Sequence, residues 1–196
     1  MNPSKTGSAV DVKGTAIAVI PEYVKRTYGQ AAYCKWLGSL TEDSRKIFGI
    51  TIRLSDWYPI NEAYLEPTAA VCQLFYGGDH KGAWELGRFS ADYALGGVYR
   101  MFVWLPSVKF FIGRASTLLS TYLKPCTSRV VSVEDGRAVV RITELPGSHP
   151  LIEQRIAGWV QRALEIHGCK NVAVGISKSL ARGEECTELT ITWDKE

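Results

Sequence analysis

After Pro125 the spacing of apolar residues changes from three and four to two, and that switch restricts the folds open to the chain. Upstream, apolar positions recur at helical spacing, so the first two-thirds are expected to be all helical. They are Ile17, Ile20, Val24 and Tyr28, then Leu65, Ala69, Cys72 and Phe75 or Tyr76, then Ala83, Trp84, Gly87, Ala91, Leu95, Val98 and Phe102. Downstream, Arg129 to Glu134 and Arg137 to Leu145 alternate around a Glu134-Asp135-Gly136 turn, with Val131, Val133, Ala138, Val140 and Ile142 apolar. A second alternating pair, Val172, Val174, Ile176 and Leu189, Ile191, Trp193, ends the chain. Between the hairpins lies one amphipathic helix, Pro150 to His167, with Ile152, Ile156, Trp159, Val160, Ala163 and Leu164 on its face. Pro suits the first turn, where no intrahelical N–H bond is lost, and Gly168 suits the stop.

Two hairpins joined by one helix predict an α+β fold. N-terminal helices pack with a four-stranded antiparallel sheet made of two hairpins joined by a crossover helix. The helical part divides at its caps and glycines. Helices are expected over Thr15 to Tyr28, Ala31 to Leu37, Glu42 to Phe48 behind Thr41, and Asn61 to Tyr76 before Gly77-Gly78. Two more run from about His80 to Leu105 and from Ser107 to Leu123. Gly82, Gly87, Gly96 and Gly97 each cost about 1 kcal/mol inside a helix against Ala. They imply close helix packing, or a kink at Gly96-Gly97. Residues 1–12 read as a flexible tail, and residues 13–196 as a single domain.

With 46% hydrophobic and 22% charged residues, the chain has the material for a full core, which excludes disorder over its length. The net charge is +3 and its basic residues are scattered, so no nucleic-acid surface is expected. No apolar run reaches the ~18 residues of a membrane span. The polar N-terminus lacks a signal core, and a cytoplasmic location follows as the expectation. The five cysteines are odd in number and have no CxxC pair. His80, His149 and His167 stand at no ligand spacing with them, so reduced thiols, no metal and no cofactor are expected. No Ser-His-Asp set, P-loop or dinucleotide fingerprint is visible, and no enzyme activity is expected.

The aromatic residues are the first candidate site. Trp57, Tyr58, Phe75, Trp84, Phe89, Phe102, Phe110 and Phe111 can line an apolar cavity or fill a solid core. Glu85, Arg88 and Asp92 share a helix face, as ion pairs or as a polar anchor at a pocket mouth. The expected ligand-binding set is Trp57, Tyr58, Phe75, Trp84, Arg88 and Phe102. Phe110 and Phe111 diverge by about 100° around a helix. With Trp104 they are the expected interface of a C2 homodimer, unless another helix of the same chain covers them.

Four stretches carry a resemblance to one superfamily: GTAIAVIPEYVKRTYGQAAYCKWL, FYGGDHKGAWELGRFSADYALGGVYRMF, LPGSHPLIEQRIAGWVQRALEIHGCKNVAV and SLARGEECTELTITW. Its members are 4-vinyl-reductase-type ligand-binding domains, haem–nitric-oxide-binding domains and the TRAPP vesicle-tethering subunits. The resemblance spans about residues 13 to 194. It implies a sensor or adaptor that binds a small apolar or aromatic ligand and signals through a protein partner. Alternatively it implies a ligand-free scaffold like the tethering subunits, which can carry a fatty acyl group on a cysteine over an apolar channel; Cys72 is either such a residue or a buried inert thiol. Where the 4-vinyl-reductase type commonly has a second hairpin cysteine, this sequence has Ser177, Lys178 and Ser179. The haem domains use a mid-chain proximal His and a Tyr-x-Ser-x-Arg signature. Neither is present, so haem is not carried over.

Overall fold

The structure is a computed structural model that describes residues 10–96 and 107–194, the side chains of 115 and 116 excepted. Gly97, Val98, Phe102 and Trp104 lie outside the described residues. Eight α-helices are described: α1 (Gly14–Ile17), α2 (Val19–Tyr28), α3 (Gln30–Ser39), α4 (Glu42–Phe48), α5 (Glu66–Tyr76), α6 (Lys81–Gly96), α7 (Val108–Tyr122) and α8 (Pro150–His167). Caps set several of their ends. Thr41 Oγ1 accepts from Ser44 N, Ser107 Oγ accepts from Phe110 N, and His149 Nδ1 accepts from Leu151 N. Gly77 and Gly168 take left-handed backbone at φ 61° and 112°, which is cheap only for glycine.

Strands β4 (Thr127–Glu134), β5 (Arg137–Glu144), β6 (Ala173–Lys178) and β7 (Thr187–Thr192) form a four-stranded antiparallel sheet in the order β4-β5-β7-β6. The hairpins therefore meet through β5 and β7, with Val140 opposite Leu189 and Ala138 opposite Ile191. All four side chains are buried. Burying a side chain such as Leu189 or Ile191 contributes about 1.5–3 kcal/mol. Helix α7 packs along β4, and α8 packs along β6 and β7.

Four expectations are corrected. Residues 10–12 are not tail: Val10 and Val12 belong to the core, and Asp11–Lys13 forms β1. The first two-thirds are not all helical, because β1 pairs with β2 (Trp57–Pro59) and β3 (Leu123–Lys124) in a second sheet, β2-β1-β3. The helix expected from Asn61 opens as a π-turn over Asn61–Leu65. The buried stripe then runs through Tyr64, Pro67, Thr68, Val71 and Cys72, and Ala69 is exposed. Val131 is 44% exposed, because a bulge between Val130 and Ser132 lets the ladder pass it by.

Candidate functional site

Helix α8 is buried on more than one side, because α6 crosses it as well as the sheet. The crossing is set by two glycines. A Cβ on Gly87 would collide with the Arg155 carbonyl, and one on Gly158 with the Trp84 carbonyl. Gly82 is similarly tight against Tyr76 and Cys72 of α5. Close packing thus explains three of these helical glycines, while Gly96 has open space beside it.

Beyond the crossing the helices part and leave a cavity of about 630 Å³. Its walls are Ala16 and Val19, Ser90 and Ala94 of α6, Phe111 and Leu119 of α7, and Ile156 and Trp159 of α8. Val140, Leu189 and Ile191 of the sheet form its floor, and exposed Arg26, Asp92 and Tyr93 stand at its rim. Cavities cost about 24 cal/mol per Å³ when left by deleted core atoms. A closed, dry void of this size would cost on the order of 15 kcal/mol, as much as a domain's whole stability. The space is therefore suited to contents that enter from the rim.

One charged group belongs to the interior. Arg155 of α8 lines the cavity at the end formed by Ala16 and Tyr64 and is 2% exposed. Nη1 donates to Thr68 Oγ1 at 3.0 Å and Nη2 to the Ala16 carbonyl at 3.3 Å. The guanidinium carbon lies 3.7 Å from the Tyr64 ring centroid. Nε has no partner, and no carboxylate of the described residues pairs with the group. Burial draws its pKa downward, although nearby Tyr64 and Cys72 act in the other direction. Burial also raises the pKa of both those groups, so neither is a ready counter-anion. An effective penalty of several kcal/mol attends an ion buried in this way.

Two residues earlier, Glu153 is 3% exposed and fully satisfied. Its carboxylate accepts from Ser179 Oγ at 2.6 Å, from Ala181 N at 3.3 Å, and from Thr187 Oγ1. These bonds fasten α8 to the β6–β7 connection.

None of the five described residues of the expected ligand-binding set lines the cavity. Trp57, on β2, is part-exposed, with Lys13 Nζ 4.6 Å from its ring centroid. Tyr58 accepts at its hydroxyl from Arg53 N. Phe75 stacks on Tyr28 at 4.1 Å in solid packing with Tyr23, Tyr76 and Phe89. Trp84 Nε1 donates to Gln161 Oε1, and its ring lies by a smaller cleft with His80 and Glu153. Arg88 forms a fork with Glu165 at 2.9 Å, and Asp92 pairs with Arg162. These charges clamp α6 to α8 rather than serve a ligand. The aromatic residues that do line the cavity include Tyr64, Phe111 and Trp159. Phe111 corrects the interface expectation: it is 3% exposed and stacks on His167 at 4.9 Å. Its neighbour Phe110 is 47% exposed.

Arg155 escaped the sequence reading because a lone Arg in QRIAGW looks like a solvated position. The available signal was its place on the edge of the apolar stripe, one residue before Ile156.

Neither family models nor curated proteins match the chain. Solved structures do, and they define the fold class. An H-NOX protein from S. oneidensis, in the Fe(II)NO ligation state, superposes with a TM-score of 0.72 at 11% identity, covering 93% of this chain and 99% of that one. An H-NOX protein from K. algicida, Fe(II) unliganded, gives 0.70 at 8% identity over 94% and 97%. A point mutant of T. tengcongensis H-NOX gives 0.63 at 11% identity over 93% and 98%. The chain has an H-NOX-like α+β fold. These neighbours share the fold of haem–nitric-oxide-binding domains and do not bear on the 4-vinyl-reductase or TRAPP types.

The described cavity wall lacks the histidine ligand that the resembled haem domains use. No histidine or cysteine lines the described cavity wall, and the sequence of residues 97–106 contains neither. His80 lies by the other cleft, His149 caps α8, and His167 is stacked on Phe111. Among the described residues, no group of His, Cys, Asp and Glu could hold a metal ion, and no helix is long and apolar enough to cross a membrane.

Proposed function

We propose that the chain is a non-enzymatic, cytoplasmic ligand-binding sensor domain. It encloses a small, largely apolar molecule between α6, α7, α8 and the sheet, and passes occupancy to a protein partner by contact. The cavity of about 630 Å³ carries this reading. That volume lies in the range of small-molecule sites, roughly 300–1,000 Å³, and its mainly apolar wall with few polar groups is typical of them. The H-NOX-like fold supports a sensor role by analogy. The partner in this reading is a second copy, on a surface that includes the exposed Phe110 of α7.

Native mass spectrometry tests the reading. The purified protein is expected to carry a small-molecule adduct on the 21.7 kDa chain, released on denaturation. Val160→Trp, which fills the cavity from α8, is expected to lose the adduct in folded protein. A bare chain throughout, with no uptake of added apolar compounds, overturns the reading in favour of a ligand-free scaffold. Light scattering at low micromolar concentration tests the second copy, and a monomer mass throughout removes it.

A further inference from the structure

Three charged residues line the cavity, and two already have ionic partners. Arg26 pairs with Glu22 at 2.6 Å, and Asp92 with Arg162 at 2.9 Å. The third, Arg155, is the deepest, and no carboxylate of the described residues meets it. A guanidinium has five N–H donors. Thr68 and Ala16 take two of them, and Nε–H is idle. Nε–H is itself enclosed, so what the guanidinium has left for a planar carboxylate is the pair of Nη hydrogens that Thr68 and Ala16 do not take.

We propose that the ligand of this cavity is an apolar monocarboxylate, held with its carboxylate on Arg155 and its hydrocarbon part against α6, α7 and the sheet floor. The inference rests on the ligand-binding reading above and names the substrate class of that same site. One positive charge in an apolar enclosure is neutralised by one negative charge. A phosphate dianion would leave excess charge among Ile156, Leu189 and Ile191. An uncharged apolar molecule would leave the guanidinium as uncompensated as before.

The test compares matched ligands that differ only at the head, by calorimetry at pH 8. One pair is dodecanoate and 1-dodecanol, and the other is 2-naphthoate and 2-naphthol; the better-bound acid shows whether the hydrocarbon is a chain or a ring. In the unaltered protein the better acid is expected to bind at least about tenfold tighter than its alcohol. In Arg155→Met the alcohol is expected to bind as before, with the preference for the acid gone. Arg155→Lys is expected to keep part of the preference, because an ammonium supplies charge without the fork. This variant carries the test if Arg155→Met loses its near-ultraviolet dichroism. Equal binding of acid and alcohol overturns the assignment to Arg155 and leaves the cavity reading standing. So does an acid preference that survives in both variants. Failure of all four compounds to bind overturns both.

Discussion

Two buried side chains two residues apart on α8 are finished in opposite ways. Glu153 presents its carboxylate to three donors of the β6–β7 connection. Arg155 presents its guanidinium to one hydroxyl and one carbonyl, keeps an idle Nε–H, and borders a cavity. A buried polar group whose bonds are complete joins elements of the fold. One whose bonds are incomplete leaves a demand that something outside the chain can meet.

The largest effect is expected at the complete end. Glu153→Leu strands Ser179 Oγ, Ala181 N and Thr187 Oγ1 without that acceptor. At about 1–3 kcal/mol for each buried group left unsatisfied, urea denaturation should show a loss of roughly 3 kcal/mol or more. A loss below about 1 kcal/mol would erase the distinction between the two residues. Arg155→Met comes next, measured without ligand. Thr68 Oγ1 still donates to the Tyr64 carbonyl, and the Ala16 carbonyl loses one long bond. Replacing an unpaired buried charge by a hydrophobe of similar length should cost less than about 1 kcal/mol or stabilise the fold. A loss as large as that of Glu153→Leu would show that Arg155 is structural.

The smallest effect belongs to a third ionisable group of α8, at its half-exposed end. Glu165 accepts from Arg88 and Arg162, and the bond from Arg88 is the main cause that holds its carboxyl below the ordinary value of 4.5. A depressed folded-state pKa contributes stability above the unfolded value, and that stability is lost as pH falls through the folded one. Glu165→Gln should therefore cost less than about 1 kcal/mol at neutral pH. The difference from the unaltered protein should shrink as pH falls below 4.5. A difference that grows with acid would show that the pairing does not govern this end.

The hairpins and α8 were legible in the sequence because each is long enough to show its period and is ended by a distinctive residue. Pro150 and Gly168 bracket the helix where expected, and Glu134-Asp135-Gly136 lies where the first hairpin turns. The small sheet was not legible, since strands of three, three and two residues hold no alternation to read. The clamp between α6 and α8 was half legible. Arg88 and Asp92 share a face, but their partners, Glu165 and Arg162, lie on a helix about seventy residues away in sequence. For the cavity, the sequence favoured large aromatic residues, and the wall is built mostly from aliphatic ones with small residues such as Ala16 and Ala94. Small side chains leave space, and an apolar pattern records where side chains are buried without recording how much room they leave.

The glycine crossing of α6 and α8 is also a mechanical element. Where Gly87 meets Arg155 and Gly158 meets Trp84, backbone rests on backbone. Such a seat resists sliding, because any axial shift drives a carbonyl against the facing main chain. The pairs of Arg88 with Glu165 and of Asp92 with Arg162 add to the seat, so α6 and α8 form one stiff wall of the cavity. On one side of the seat α6 carries Ser90 and Ala94 along the cavity, and on the other it carries Gly82 and Ala83 against Cys72 of α5. A push on this wall from within the cavity is expected to move α6 and α8 together, not α6 alone.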